Sequence, residues 1–170
     1  MRIILIAFIL TMPILSFAQK RIILTWDLFK NDKPIGAPQD ARLACGFEFT
    51  YRKKPGVGNL IGVEFLVKPR IDTLKSFFDF KYKFKNYALL NHEQGHADNA
   101  TIFAIKLKER FDQTKYLKTN YESQINKIFN EISLELDKQQ KQYDIETDHG
   151  RNKDKQIEWN DYFKKELNIK

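Results

Sequence analysis

Leu89-Leu90-Asn91-His92-Glu93-Gln94-Gly95-His96-Ala97-Asp98 sits near the middle of the chain and carries the form H-E-x-x-H. On a helix, positions four apart lie on one face, one turn above the other. His92 and His96 can therefore aim two imidazoles at one metal ion. Glu93 lies about 100° further round the same turn, beside that face but off it. Two such His suit a zinc ion, and the Glu suits a general base acting on a metal-activated water. The flanks predict a helix from about Tyr87 to Phe111, with Asn86 as its cap. Tyr87, Leu89, Leu90, Ala97, Ala100, Ile102, Phe103 and Ala104 make this helix apolar on several faces. A helix of that kind is buried, and buried imidazoles need partners.

Before this helix the pattern is of strands. Arg21 to Trp26 is a short β-type run. Leu43 to Tyr51 alternates, with Phe47, Phe49 and Tyr51 on one side and Glu48 and Thr50 on the other. Pro55-Gly56-Val57-Gly58-Asn59 is a turn, and Leu60 to Val67 reads as the returning strand. Alternation over Phe80 to Lys85 predicts one more strand. After the motif come two further helices. One spans about Tyr121 to Tyr143, with Tyr121, Ile125, Ile128, Ile132 and Leu136 at helical spacing and Thr119 or Asn120 as its cap. The other spans about Lys155 to Leu167, with Trp159, Phe163 and Leu167 four apart. The expected class is α+β: a small antiparallel sheet, then two long helices and a C-terminal helix.

The first residues read as an address. Met1-Arg2, an apolar run from Ile3 to Leu15 and then Ser16-Phe17-Ala18 form a secretory signal peptide cut after Ala18. The run is short for a membrane span and Pro13 interrupts it, so no stable membrane anchor is expected after cleavage. Residues 19–170 suit one domain, exported to the periplasm or the medium. The single cysteine, Cys45, excludes an internal disulfide. Its apolar neighbours read it as a buried small side chain rather than a nucleophile. The net charge of +7 is mostly Lys scattered among Asp and Glu. No nucleic-acid-binding module accompanies it, so a solvated basic surface is expected, with attraction to anionic envelope polymers.

A catalytic zinc takes three protein ligands and leaves one place open. The only His outside the motif is His149. It falls in Tyr143-Asp144-Ile145-Glu146-Thr147-Asp148-His149-Gly150, where Gly150 allows a tight turn. His149 is the expected third ligand, with Glu146 and Asp148 as carboxylate alternatives. Asp98 points about 200° away from His96 round a continuing helix, so it suits support of a ligand from behind. Asp144 suits the acceptor of a ligating imidazole's spare N–H. Tyr143 and Arg151 are the candidates for stabilising a developing oxyanion. These elements and this motif together describe a zincin-like metallohydrolase.

The blocks Leu89-Leu90-Asn91-His92-Glu93-Gln94-Gly95-His96 with Asp98, and Tyr143-Asp144 with Thr147, His149-Gly150, Gln156 and Trp159, resemble those of a known family. The opening Leu24-Thr25-Trp26-Asp27-Leu28-Phe29 is similar as well. It is the bacterial family of unassigned function often labelled predicted secreted zinc-dependent proteases. The resemblance spans nearly all of residues 19–170, and Ala97 departs from it where an aromatic is usual. It implies a peptidase and no particular substrate. The expected activity is zinc-dependent hydrolysis of a peptide, protein or cell-wall peptide, with Glu93 as base. Two alternatives stand beside it. A non-catalytic envelope protein with a structural zinc would not need Glu93. A zinc amidase acting on the cell wall would use the same residues.

Overall fold

The computed structural model describes residues 21–82 and 86–169. The expected signal segment, 1–18, lies outside them. The fold is α+β, with small sheets followed by helices. The principal sheet is a long hairpin. Strand β3 (Cys45–Lys54) pairs antiparallel with β4 (Leu60–Ile71), from Cys45 opposite Ile71 to Lys54 opposite Gly62. The far side of β4 takes a two-residue strand, Tyr116–Leu117. A second small sheet joins β1 (Asn31–Asp32), β2 (Ala41–Arg42) and β5 (Phe77–Phe78).

Helix α1 (Tyr87–Gln113) starts where expected. Asn86 Oδ1 accepts from the Leu89 N–H at 2.9 Å, satisfying one of the free donors of the first turn. Helix α2 (Tyr121–Thr147) runs a full turn beyond the expected end and closes at Asp148, which is left-handed. Helix α3 (Lys153–Glu166) is capped by Asn152, whose side chain accepts from the Lys155 N–H at 3.2 Å.

The main core lies between the hairpin and the three helices. Phe65 and Val67 of β4 face Phe103, Leu107 and Phe111 of α1, which recur every four residues and so share one stripe. Phe65 stacks on Phe111 with ring centres 4.1 Å apart. Ile125, Ile128, Ile132 and Leu136 of α2 are all buried there, as their spacing requires. Leu107 is fully buried, and truncating it to Ala would cost about 2–5 kcal/mol. A smaller cluster holds Leu24, Trp26, Phe29, Ala41, Leu43, Phe78 and Ala97. It fastens the segment before the hairpin to the start of α1. Ala97 is fully buried against it, so the small side chain is what the packing accepts there.

Two expected strands are not strands. Residues 21–25 have no ladder, and Trp26–Leu28 is a 3-10 turn. Their backbone bonds instead to a side-chain amide. Gln94 Oε1 accepts from the Leu24 N–H and Gln94 Nε2 donates to the Ile22 carbonyl, each at 2.8 Å. Phe80–Tyr82 is a 3-10 turn rather than a strand, because pairing ends at Phe78 and Asp79 turns the chain. Residues 83–85, the rest of that expected strand, lie outside the described residues. No described helix is long and apolar enough to cross a membrane.

Candidate metal centre

Three elements meet over the middle of α1: the segment entering β3, the C-terminal half of α2 and the start of α3. Gly95 is what lets them close. A Cβ there would lie 2.2 Å from the Tyr143 hydroxyl oxygen. Gly150 permits the second approach. Its φ is +84°, and a Cβ on it would lie 2.8 Å from the Cβ of His92.

His92 is buried, and His96 is nearly so. Their Nε2 atoms converge on a single oxygen, Asp144 Oδ1, at 3.2 Å and 3.0 Å. His149 Nδ1 reaches the same oxygen at 3.5 Å, from a side chain 44% exposed at the rim. His92, Asp144 and His149 each offer one ligand atom within 4.8 Å of the others. All three His approach Asp144 Oδ1, but His96 is not in the 4.8 Å group that His92, Asp144 and His149 form. Asp144 does not support the spare N–H of an imidazole. It lies on the converging side, and the other ring nitrogens face amides. His92 Nδ1 lies 3.2 Å from Gln156 Oε1, and His96 Nδ1 lies 2.6 Å from Gln140 Oε1.

This donor set fits a metal ion. Amide carbonyl oxygens accept, which favours a proton on both Nδ1 atoms; neutral rings so protonated would present Nε2 lone pairs toward Asp144. Lone pairs from two imidazoles and a carboxylate aimed at one spot repel one another unless protons or a cation lie between them. Two nitrogens and one oxygen suit zinc. At His96 a proton can take that place. Burial alone would depress His96, but the bond to Asp144 and the charge of Glu93 outweigh it and hold His96 above its ordinary range. Burial opposes ionisation of Asp144, yet the two imidazoles hold its carboxyl well below the usual range.

Glu93 is 3% exposed and lines the cleft. Its Oε2 accepts from the Leu43 N–H at 2.8 Å, which fixes the carboxylate against the segment entering β3. Burial pushes its carboxyl up, against the pull of His96, His92 and that N–H. The cleft measures about 1000 Å³. Residues 41–47 form one wall, and Gln140, Asp144, His149 and Arg151 form the other.

Other expected roles move. Tyr143 does not face the cleft. It is fully buried, its ring stacks on His92 at 4.7 Å, and its hydroxyl donates to the His92 carbonyl at 2.9 Å. It accepts from Gln156 Nε2 at 2.7 Å, and burial holds its phenol protonated far above the usual range. It is a post under α1, turned away from the cleft where an oxyanion donor would have to stand. Asp98 does not brace an imidazole. Both its oxygens take Arg21 at 2.7 Å, and Oδ1 also accepts from Gln94 at 2.9 Å. Glu146 accepts from Trp159 Nε1 at 2.8 Å, and Asp148 pairs with Arg151 at 3.2 Å, so neither reaches the centre. Arg151 lines the cleft from its exposed rim. Cys45 touches the His96 carbonyl and Gln140, and burial together with the charge of Glu93 pushes its thiol up to about 12. It is protonated and not a nucleophile.

Residues 67–150 match the model of a family described as "Bacterial protein of unknown function (DUF922)". The matched stretch begins in β4 and ends at Gly150, so it holds all three His, Glu93, Gln140 and Asp144. No curated protein and no solved structure matches the chain.

Proposed function

We propose that this chain is an exported zinc-dependent hydrolase, acting on peptide bonds. The observation that carries the proposal is the convergence of His92 Nε2, His96 Nε2 and Asp144 Oδ1 beside the buried Glu93, at the floor of an open cleft. His92, His96 and Asp144 would hold the ion, and His149 is a fourth donor at the rim, able to leave. Zinc, when bound, polarises a carbonyl and makes water nucleophilic near neutral pH. The rest is the work of side chains. Leu43 holds Glu93 Oε2, and Glu93 Oε1 takes a proton from the attacking water and returns it to the leaving nitrogen. A base raised by burial is suited to both steps. The segment 41–47 lines the cleft beside Glu93, where a substrate would pass. Export rests on the charged, apolar and small-residue order of residues 1–18.

The rival reading is a structural zinc. Four protein donors lie near one point, and a closed four-ligand site is the structural kind. The test is hydrolysis of casein and of a peptidoglycan digest, with and without a chelator. An active parent silenced by the chelator and restored by zinc is expected. Glu93→Gln should keep zinc and lose about 10²–10⁴ in rate, the range for a missing general base. Activity that survives Glu93→Gln removes the mechanism. Bound zinc with no hydrolysis of either substrate favours the structural site, and cleavage of the digest alone favours the amidase.

A further inference from the structure

Two glutamines face the Nδ1 atoms of His92 and His96. An Oε1 and an Nε2 can be exchanged by turning an amide over, so the orientation matters, and here it is fixed from outside. Gln156 Nε2 donates to the Tyr143 hydroxyl at 2.7 Å and to Asn160 Oδ1 at 3.0 Å. The Tyr143 proton is already committed to the His92 carbonyl, so its oxygen can only accept from Gln156. Gln156 Oε1 is thereby turned to His92 Nδ1. Thr147 Oγ1, 3.4 Å from the same Nδ1, donates to the Tyr143 carbonyl and so offers a second acceptor.

Gln140 is fixed independently. Its Nε2 donates to the His96 carbonyl at 3.1 Å, and its Oε1 accepts from Asn99 Nδ2 at 3.2 Å. Asn99 is in turn oriented by Gln139, whose Nε2 donates to Asn99 Oδ1 at 2.6 Å. Gln140 Oε1 is left against His96 Nδ1 at 2.6 Å. Gln140 comes from α2 and Gln156 from α3, so two separate elements impose the same tautomer on two residues of α1.

We propose that Gln140 and Gln156 are the positioning residues of the metal centre. Resting on the zinc reading above, they hold the proton on Nδ1 of His96 and His92 and so present both Nε2 atoms to the ion. An amide does this without charge. A carboxylate in the same place would also accept from Nδ1–H but would add a negative charge beside an ion that already has Asp144. The pair therefore fixes ring geometry while leaving the ion electron-poor, which suits a centre that must polarise a carbonyl.

Zinc affinity, measured on the full chain by competition with a chromogenic chelator, tests this. Gln140→Met and Gln156→Met should each weaken zinc binding about 10- to 100-fold, the usual effect of removing such a partner. Gln140→Glu and Gln156→Glu should recover most of that affinity, because an acceptor is restored. A purely packing role predicts no recovery by Glu. The parent chain supplies a reading that needs no variant to fold. With ¹⁵N-labelled His and ¹¹³Cd, coupling should fall on Nε2 of both rings. Coupling to Nδ1, or Met variants that bind as tightly as the parent, overturns this inference and leaves the metal site standing. A parent that takes up neither zinc nor cadmium overturns the zinc reading and this inference with it.

Discussion

The hydroxyl of Tyr143 stands where the side chain of residue 95 would have to be: a Cβ on Gly95 would lie 2.2 Å from it. Phe163 closes the same space at 2.9 Å, and both rings are buried, so neither has room to withdraw. Gly95→Ala is expected to destabilise the chain by about 1–3 kcal/mol or more through overpacking, and to weaken zinc uptake by shifting α1. Tyr143→Phe removes only the hydroxyl. It should lower stability by about 1–3 kcal/mol, since the His92 carbonyl and Gln156 amide lose a buried partner. It should not bring the roughly 10²–10³-fold rate loss of a missing oxyanion donor. Urea melts and steady-state rates on the two variants decide this.

Asp144 and His149 are the two candidates for the third ligand of the proposed ion. Asp144 projects from within α2 toward both Nε2 atoms, whereas His149 follows the helix end and is 44% exposed. Asp144→Ala is therefore expected to abolish stoichiometric zinc, and His149→Ala to keep it with weaker affinity. Metal analysis of the dialysed variants is the measurement. The reverse order would give the third place to His149.

The metal-free centre and the loaded one depend on pH in opposite senses. His96 is raised in the folded chain from 6.5, so its contribution is full below that value and fades as pH climbs through the raised one. Asp144 is lowered from 3.8, so its contribution is present above that value and is lost as pH falls through the lowered one. The pair supports the metal-free chain best between those two reference values. Zinc needs neutral imidazoles and gains with pH. The difference in Tm between zinc-loaded and chelated protein should widen from about pH 5.5 to about pH 8. Scanning calorimetry at both ends would show it, and a constant difference would remove the imidazoles from the ligand set.

Arg21 anchors the start of the described chain to α1. Asp98 is 2% exposed, so removing Arg21 leaves a buried carboxylate with Gln94 alone. Breaking a fully buried pair costs about 3–5 kcal/mol. Arg21 is 32% exposed, and the expected loss for Arg21→Ala is correspondingly about 1–3 kcal/mol. Asp98→Asn with Arg21 retained should cost less, since the charge left unpaired is then the part-exposed guanidinium rather than a buried carboxylate. Denaturant midpoints of the two variants rank them.

The sequence made some of this legible and hid the rest for physical reasons. Helix α1, its cap at Asn86 and the shared face of His92 and His96 follow from spacing within one element, which local rules capture. So do the hairpin and the buried stripe of α2. Gln140 was hidden because Lys138-Gln139-Gln140-Lys141-Gln142 reads as a solvated face. The available signal was that it lies one turn before Asp144 and shares its side of α2. Asp98 was misread because its partner Arg21 is 77 residues away, beyond any local rule. The run from Arg21 has strand composition but bonds to the side chain of Gln94, which takes the place of a neighbouring strand. Tyr143 was misread for a different reason. Position along the chain placed it next to Asp144, but the helix turns it under α1.

After α2 the backbone enters the left-handed region at three successive residues: Asp148 at φ 46°, His149 at φ 52° and Gly150 at φ 84°. Glycine adopts that region freely, while other residues pay roughly 1–2 kcal/mol there. His149 thus holds its place at the rim in a conformation that its own backbone resists. Backbone stability alone would favour glycine at 149, at the expense of the imidazole. Under the proposed hydrolase reading this corner trades durability against chemistry, so variants selected only for heat resistance would be drawn to erase the imidazole at the mouth of the cleft.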